Sequence, residues 1–411
     1  AAVSWGSEMC IRDRRASWGS IGNDSQLNAS QFVSGWQFED RFILGGAGNS
    51  SASITNGMKE ANLANPNITW YKVMTTNVGL DGSFWGGKLS FEFDYFYRKT
   101  TGYPATRNTS LPTTSGIPLP QENLNSSDNR GFELSLGTVQ RIGNVNLQIK
   151  GNVAYAREKD LYKEQALPLN QYKNWRDNGA YRWKNVTWGY EHIGQFQSYD
   201  EIYNSPIQDG KGNSSLRPGD IKYKDLNGDG LIDANDEKVI GKGTFPDLNF
   251  GLTLAADWKG FDVNILFQGA SNYTQVLNAL TSPFRGPGEG NGFRVWMDSW
   301  HKADYNNPDS EWVPGKFPSL RIEGNDNNSK KSTYWTTDAY YVRLKSIEIG
   351  YTIPKNLLSK VGIEHLRVYA NAYNPLTITN VKYTDPEAIE GWQSFYYPQL
   401  KVYSFGVNVS F

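Results

Sequence analysis

The chain has 411 residues, with 41 Lys and Arg against 42 Asp and Glu and a formal net charge of −1. This balance offers no basic surface for nucleic acid. A single cysteine, Cys10, excludes an internal disulfide and a cysteine metal site, and His192, His301 and His365 lie too far apart in sequence to suggest a histidine site.

Residues 1–15, with the run "SEMCIRDR", follow neither a strand nor a helix period. They are expected to be non-native or disordered, with residues 16–411 forming the folded part, and Cys10 is given no role. No secretory signal opens the chain, and no run of eighteen apolar residues marks a transmembrane helix. That leaves a membrane barrel open, because barrel strands alternate in polarity and average to low hydropathy.

Alternation with period 2 then dominates. In "KLSFEFDYFYRK", Leu89, Phe91, Phe93, Tyr95 and Tyr97 share a face, and Phe96 breaks the pattern. "GFELSLG" and "NVNLQIKG" set Phe132, Leu134 and Leu136, and Val145, Leu147 and Ile149, against polar neighbours. "FDVNILFQG" does the same with Phe261, Val263, Ile265 and Phe267, and the chain closes on Tyr403, Phe405, Val407, Val409 and Phe411. Segments 70–80 with 87–99, 131–140 with 144–156, and 247–258 with 261–271 are joined by short turns, as hairpins require. Long loops are expected near 100–129, 158–188, 199–244 and 275–333. Roughly ten strands of about 9–11 residues, with short turns at one end and long loops at the other, describe an antiparallel transmembrane β-barrel. A soluble β-sandwich also alternates, but with shorter strands of about 5–6 residues.

Two loop segments carry chemistry. "DLNGDGLIDANDE" places Asp225, Asn227, Asp229, Asp233 and Asp236 at positions 1, 3, 5, 9 and 12 of a calcium-type loop, with Gly230 at the turn and the Leu231 carbonyl as a further oxygen. A structural Ca2+ is expected there, although Asp236 is shorter than the usual Glu. The competing reading is a cluster of Asx turns bonding the local backbone. Trp175, Arg176, Asp177, Arg182, Trp183 and Trp188, with Trp296, Trp300 and Trp392, are the candidate ligand contacts, since aromatic rings beside charged groups suit sugars or peptides. The competing reading is interfacial aromatics and loop packing. No nucleophile stands beside a base, so no enzyme activity is expected.

Five ordered segments resemble the C-terminal part of the SusC/RagA-type TonB-linked outer-membrane proteins, from about residue 68 to 411. They are "TTNVGLDGSFWGGKLSFEFDYFYRKTTGY" with "NRGFELSLG", then "GDIKYKDLNGDGLIDANDEKVIGKGTFPDLNFGL" around the 219–243 loop, then "YYVRLKSIEIGYTIPKNLLSKVGIEHLRVYANAYNPLTITN". "DPE" at 385–387 and "YYPQLKVYSFGVNVSF" follow. The resemblance implies a C-terminal barrel portion, open as a fragment, with its plug absent. It implies import of oligosaccharides or peptides across the outer membrane of a Gram-negative, Bacteroidota-type bacterium. The implied partners are a SusD-like lipoprotein, outer-membrane lipid, and the TonB complex through the missing N-terminal part. Unsatisfied sheet edges are expected near residue 70 and at 399–411. A soluble calcium-braced sandwich binding glycans and a porin without energy coupling are the alternatives.

Overall fold

A computed structural model describes residues 9–27, 29–44, 53–60, 63–108, 119–277, 280, 293–321, 326–358, 362–388, 397 and 399–411. Ten strands form one antiparallel sheet: β1 (Met9–Asn23), β2 (Tyr71–Phe84), β3 (Leu89–Thr106), β4 (Gln121–Ile142), β5 (Val145–Tyr162), β6 (Leu248–Trp258), β7 (Phe261–Val276), β8 (Thr336–Thr352), β9 (His365–Thr379) and β10 (Val402–Ser410). Each pairs with the next in this series. Residues 9–15 open β1, so the first sheet edge lies at 9–23 and not near residue 70. The second edge is β10, as expected.

The register explains the membrane-type alternation. Opposed residues on antiparallel strands share a face. One row across the sheet runs Leu80, Phe93, Leu134, Val153, Phe250, Gly269, Val342 and Ile378. A second runs Ile149, Leu254, Ile265, Ile347, Ala372 and Tyr403. The opposite face carries Glu92, Ser135, Asn152, Gly251, Gln268, Arg343 and Thr377 in one row. Ion pairs lie on this polar face, Arg15 to Asp94 at 2.8 Å and Arg367 to Glu348 at 2.7 Å. A slip of one residue in any strand would turn its apolar set to the polar side.

The apolar face is bare. Leu136 is 45% exposed, Ile349 49% and Phe405 86%. A sandwich would cover such a face with a second sheet, but the other sheets among the described residues have two strands each. The face therefore suits lipid, as in a barrel wall.

The links at one end are short. Lys259 and Gly260 join β6 to β7 with φ of 47° and 90°, the two positive values a two-residue hairpin turn of type I′ needs. Aromatic rings gather at this end: Phe84 with Phe91 at 5.5 Å, Trp258 with Phe261 at 6.3 Å and Phe261 with Tyr351 at 4.5 Å. This is the girdle expected where strands meet headgroups. At the other end the strands run on past the apolar band. β4 has 22 residues, and its apolar face gives way to Asp128 and Arg130, opposite Lys159 and Arg157. Much of the expected 100–129 loop is therefore strand.

One packed cluster, Ala270, Tyr273, Ala339, Tyr341 and Val381, sits on the sheet, and a larger one lies outside it. The described residues of 163–247 and of 277, 280, 293–321 and 326–335 fold onto each other and bury Tyr190, Ile221, Tyr223, Ile232, Trp296, Phe317 and Trp335. Polar groups fix the joint. Asn327 Nδ2 and Gln208 Nε2 donate to the Ile221 carbonyl at 3.0 and 2.6 Å, and Tyr223 Oη donates to the Asn327 carbonyl at 2.8 Å. Asp220, fully buried, accepts from Asn328 Nδ2 at 2.8 Å and pairs with Arg321. A third inward fold is made by residues 384–388. Arg343 on the polar face holds both Asp385 oxygens at 3.0 Å, while Tyr273 Oη donates to the Pro386 carbonyl at 2.8 Å.

Candidate binding cavity and calcium-type loop

Above the apolar band the loop unit encloses a cavity of about 1070 Å³. Its walls come from the end of β5, from helix α1 (Gln171–Asp177), and from the paired segments Val186–Gly189 and Lys238–Lys242. The helix starts where Asn170 accepts from Lys173 N at 2.8 Å, a side-chain cap that satisfies a free amide. The cap sets the turn that carries Trp175, Arg176 and Asp177 to the cavity.

Six of the candidate contacts, Trp175, Arg176, Asp177, Arg182, Trp183 and Trp188, line this one cavity. Their roles differ. The guanidinium of Arg157 lies 4.4 Å from the centre of the Trp183 ring, and that of Arg130 lies 5.3 Å from it. Trp188 has Arg176 at 6.0 Å and Arg182 at 5.9 Å. These two rings hold cations in place by cation–π attraction. Trp175, 57% exposed, keeps an open surface. Trp296 and Trp300 do not line this cavity: they are 5% and 4% exposed and lie in the packed interior, where Trp296 lies 5.2 Å from Phe317 and Trp300 Nε1 donates to Gln195 Oε1 at 3.3 Å. Trp392 lies outside the described residues.

Sequence reasoning named Arg176 and Arg182 but missed the other cations of the cavity. Arg157, Lys163, Lys184 and Lys238 also line it. Burial acts against the charged form of Lys184, but Glu158 at 2.6 Å and Asp160 at 3.3 Å raise its pKa overall. The signal in the sequence was the basic spacing along "AREKDLYK", which reads as an ordinary strand end until the loop folds over it.

The calcium-type loop adjoins the same wall. Asp225 accepts from Gly228 N at 2.6 Å and Gly230 N at 2.9 Å, and Asp229 from Leu231 N at 2.9 Å. Asn227 accepts from Asp229 N at 2.9 Å and Asp233 from Asn235 N at 2.6 Å. Asp236, fully buried, accepts from Leu226 N at 2.8 Å and Asp233 N at 2.9 Å. This is the Asx-turn arrangement in full, and among the described residues no three His, Cys, Asp or Glu side chains converge as a metal group. Each carboxylate oxygen keeps a further lone pair, and the set is the all-oxygen chemistry that suits Ca2+. Tyr172 of α1 donates to the Asn235 carbonyl, tying this loop to the cavity wall.

Elsewhere in the loop unit, burial pushes the Tyr190 hydroxyl up to about 12, with Glu237, Asp233 and Asp236 adding to it. Burial lowers His192, with Glu191 pulling the other way.

No family model matches the chain. It is 28% identical to the TonB-dependent receptor P3 of Formosa agariphila, over 97% of this chain and 39% of that protein. It is 25% identical to the TonB-dependent receptor SusC of Bacteroides thetaiotaomicron, over 84% of this chain and 32% of that protein. The chain is similar to curated TonB-dependent receptors, SusC among them. Its fold matches the RagAB peptide importer in the "open-open" state with a TM-score of 0.66 at 21% identity, over 98% of this chain and 40% of that one. The "closed-closed" state of the same importer gives 0.61. This SusC-like chain thus spans about 40% or less of the length of the curated relatives it matches.

Proposed function

We propose that this chain forms barrel wall and extracellular loops of an outer-membrane importer for oligosaccharides, coupled to TonB and working with a SusD-like surface lipoprotein. The observation that carries it is the apolar band aligned in register across the ten-stranded sheet, with long structured loops at one end only. The relationship to TonB-dependent receptors supports the energy coupling. The role is recognition and passage, not catalysis. The RagAB neighbour is named a peptide importer, which makes peptides the competing cargo. Within this reading a structural Ca2+ held by Asp225, Asn227, Asp229, Leu231, Asp233 and Asp236 braces one wall of the cavity.

The test is made in the native host. The protein should fractionate with the outer membrane and co-purify with a surface lipoprotein. Oligosaccharide uptake should stop when its gene is deleted or the proton gradient is collapsed. Recovery in a soluble fraction, or uptake indifferent to the gradient, would remove the importer and leave a soluble binder or a simple pore.

A further inference from the structure

The whole chain is close to neutral, but the cavity is not. Arg157, Lys163, Arg176, Arg182, Lys184 and Lys238 line it against three carboxylates, Asp160, Asp177 and Glu237. Those carboxylates are already engaged. Asp177 lies 2.5 Å and Glu237 3.7 Å from Arg176, and Asp160 lies 3.3 Å from Lys184. Lys238 is held from outside by Glu191 at 2.6 Å. Lys163 and Arg182 have no carboxylate partner among the described residues; Arg182 donates instead to the Arg176 carbonyl at 2.7 Å. Nε of Arg176 is buried without a hydrogen-bond acceptor, and Nε of Arg157 makes no hydrogen bond, its nearest carboxylate being Asp247 at 3.5 Å. Buried N–H groups without partners are costly, more so when charged, so they mark where an acceptor is wanted.

The rim adds flat rings. Trp175 is 57% exposed and Tyr181 73%. Rings of this kind cover the C–H face of a pyranose, while the guanidinium groups bond oxyanions. We propose that this cavity binds an acidic oligosaccharide, with uronate carboxylates or sulfate esters engaging Arg157, Arg176, Arg182 and Lys163 and a sugar ring lying on Trp175. The assignment rests on the importer reading and narrows its cargo from oligosaccharides in general to anionic ones. An acidic peptide would meet the cations but makes less use of the exposed rings. A lipid headgroup phosphate is the remaining source of an oxyanion, because the cavity begins just past Tyr155, where the apolar row on β5 ends.

The protein purified from the outer membrane in neutral detergent is titrated calorimetrically with trigalacturonate, maltotriose, triglutamate and phosphatidylglycerol. Trigalacturonate is expected to bind at least about tenfold more tightly than maltotriose, and to lose roughly tenfold in affinity between about 0.05 and 0.5 M salt. Arg182→Gln should abolish the preference. Lys163→Gln, at an exposed position where folding is not at stake, should reduce it severalfold. Equal binding of maltotriose, no salt dependence, or an unchanged preference in both variants would overturn the assignment. So would triglutamate or phosphatidylglycerol competing on equal terms. Binding is read without transport, so a failure of the importer reading is separable: salt-sensitive trigalacturonate binding with no gradient-driven uptake would retain the acidic site and remove the importer.

Discussion

Asp220→Ala is expected to open the loop unit while leaving the sheet intact. Asp220 is fully buried, and Arg321 is only 10% exposed at its side chain. Its carboxylate also accepts from Arg217 N at 2.9 Å and Asn328 Nδ2 at 2.8 Å. Truncation strands all three donors and leaves a buried guanidinium without its counter-ion. Breaking a buried pair in this way costs about 3–5 kcal/mol, which raises the open population of the loops roughly a hundredfold to a thousandfold or more. The assay is limited proteolysis of the membrane-embedded protein, mapped at 204–217 in the loop unit and at the 143–144 turn. Faster cleavage at the first site alone is the expected result. The pair Asp220→Leu with Arg321→Met should recover much of the loss, because well-packed apolar residues often replace a buried pair at little cost. Burial raises the Asp220 carboxyl above its ordinary 3.8, and Arg321 and Asn328 only partly oppose it. An acid raised on folding contributes most below its unfolded value and loses that contribution as pH rises through the folded one. Asp220→Ala should flatten that slope. Unchanged cleavage at 204–217 in the single variant would refute the argument that this ion pair holds the loops together.

Ile265→Lys, in the apolar band, should destabilise the protein in lipid by about 2–4 kcal/mol, while Asn264→Lys, one residue along and on the polar face, should be tolerated; urea unfolding in vesicles measures both. Arg343→Leu leaves Asp385 and Glu387 without the guanidinium that now lies 3.0 and 3.1 Å from them, and should expose 384–388 to protease. His192 is lowered by burial, so its contribution is present above the unfolded value and lost as pH falls from about 6.5 through the folded one; protease resistance of the loop unit should drop over that window, and His192→Gln should flatten the drop. Chelating Ca2+ should speed cleavage within 224–238, and identical cutting with and without chelator would remove the ion from the proposal.

The sheet was legible because alternation is local. Each strand shows its own lipid face in consecutive residues, and the hairpin turns are short enough to force neighbours together. Even the exception has a local partner: Phe96, out of phase with its strand, lies against Gly131, where a Cβ would come within 2.7 Å of the ring. Strand ends were less legible. The apolar face passes without a turn signal into Arg130 and Asp128, so β4 continues where a loop was expected.

The loops were legible only in part, because their core is built between segments about a hundred residues apart. Asn327 and Asn328 look like ordinary loop residues, yet they hold the backbone at Ile221. Trp183 and Trp300 each sit near basic residues in sequence, and nothing local separates them. What separates them is which surface arrives from elsewhere. Trp183 meets Arg157 and Arg130 from the strands, so it becomes a platform for cations at the cavity. Trp300 meets Gly219, where a Cβ would come within 2.4 Å of the Trp300 side chain, so it becomes a wedge in the interior. Gly219→Ala should therefore disturb the loop core with no direct contact to the cavity. If Trp300 were a ligand contact, the same substitution would instead weaken binding while leaving protease resistance of the loops unchanged.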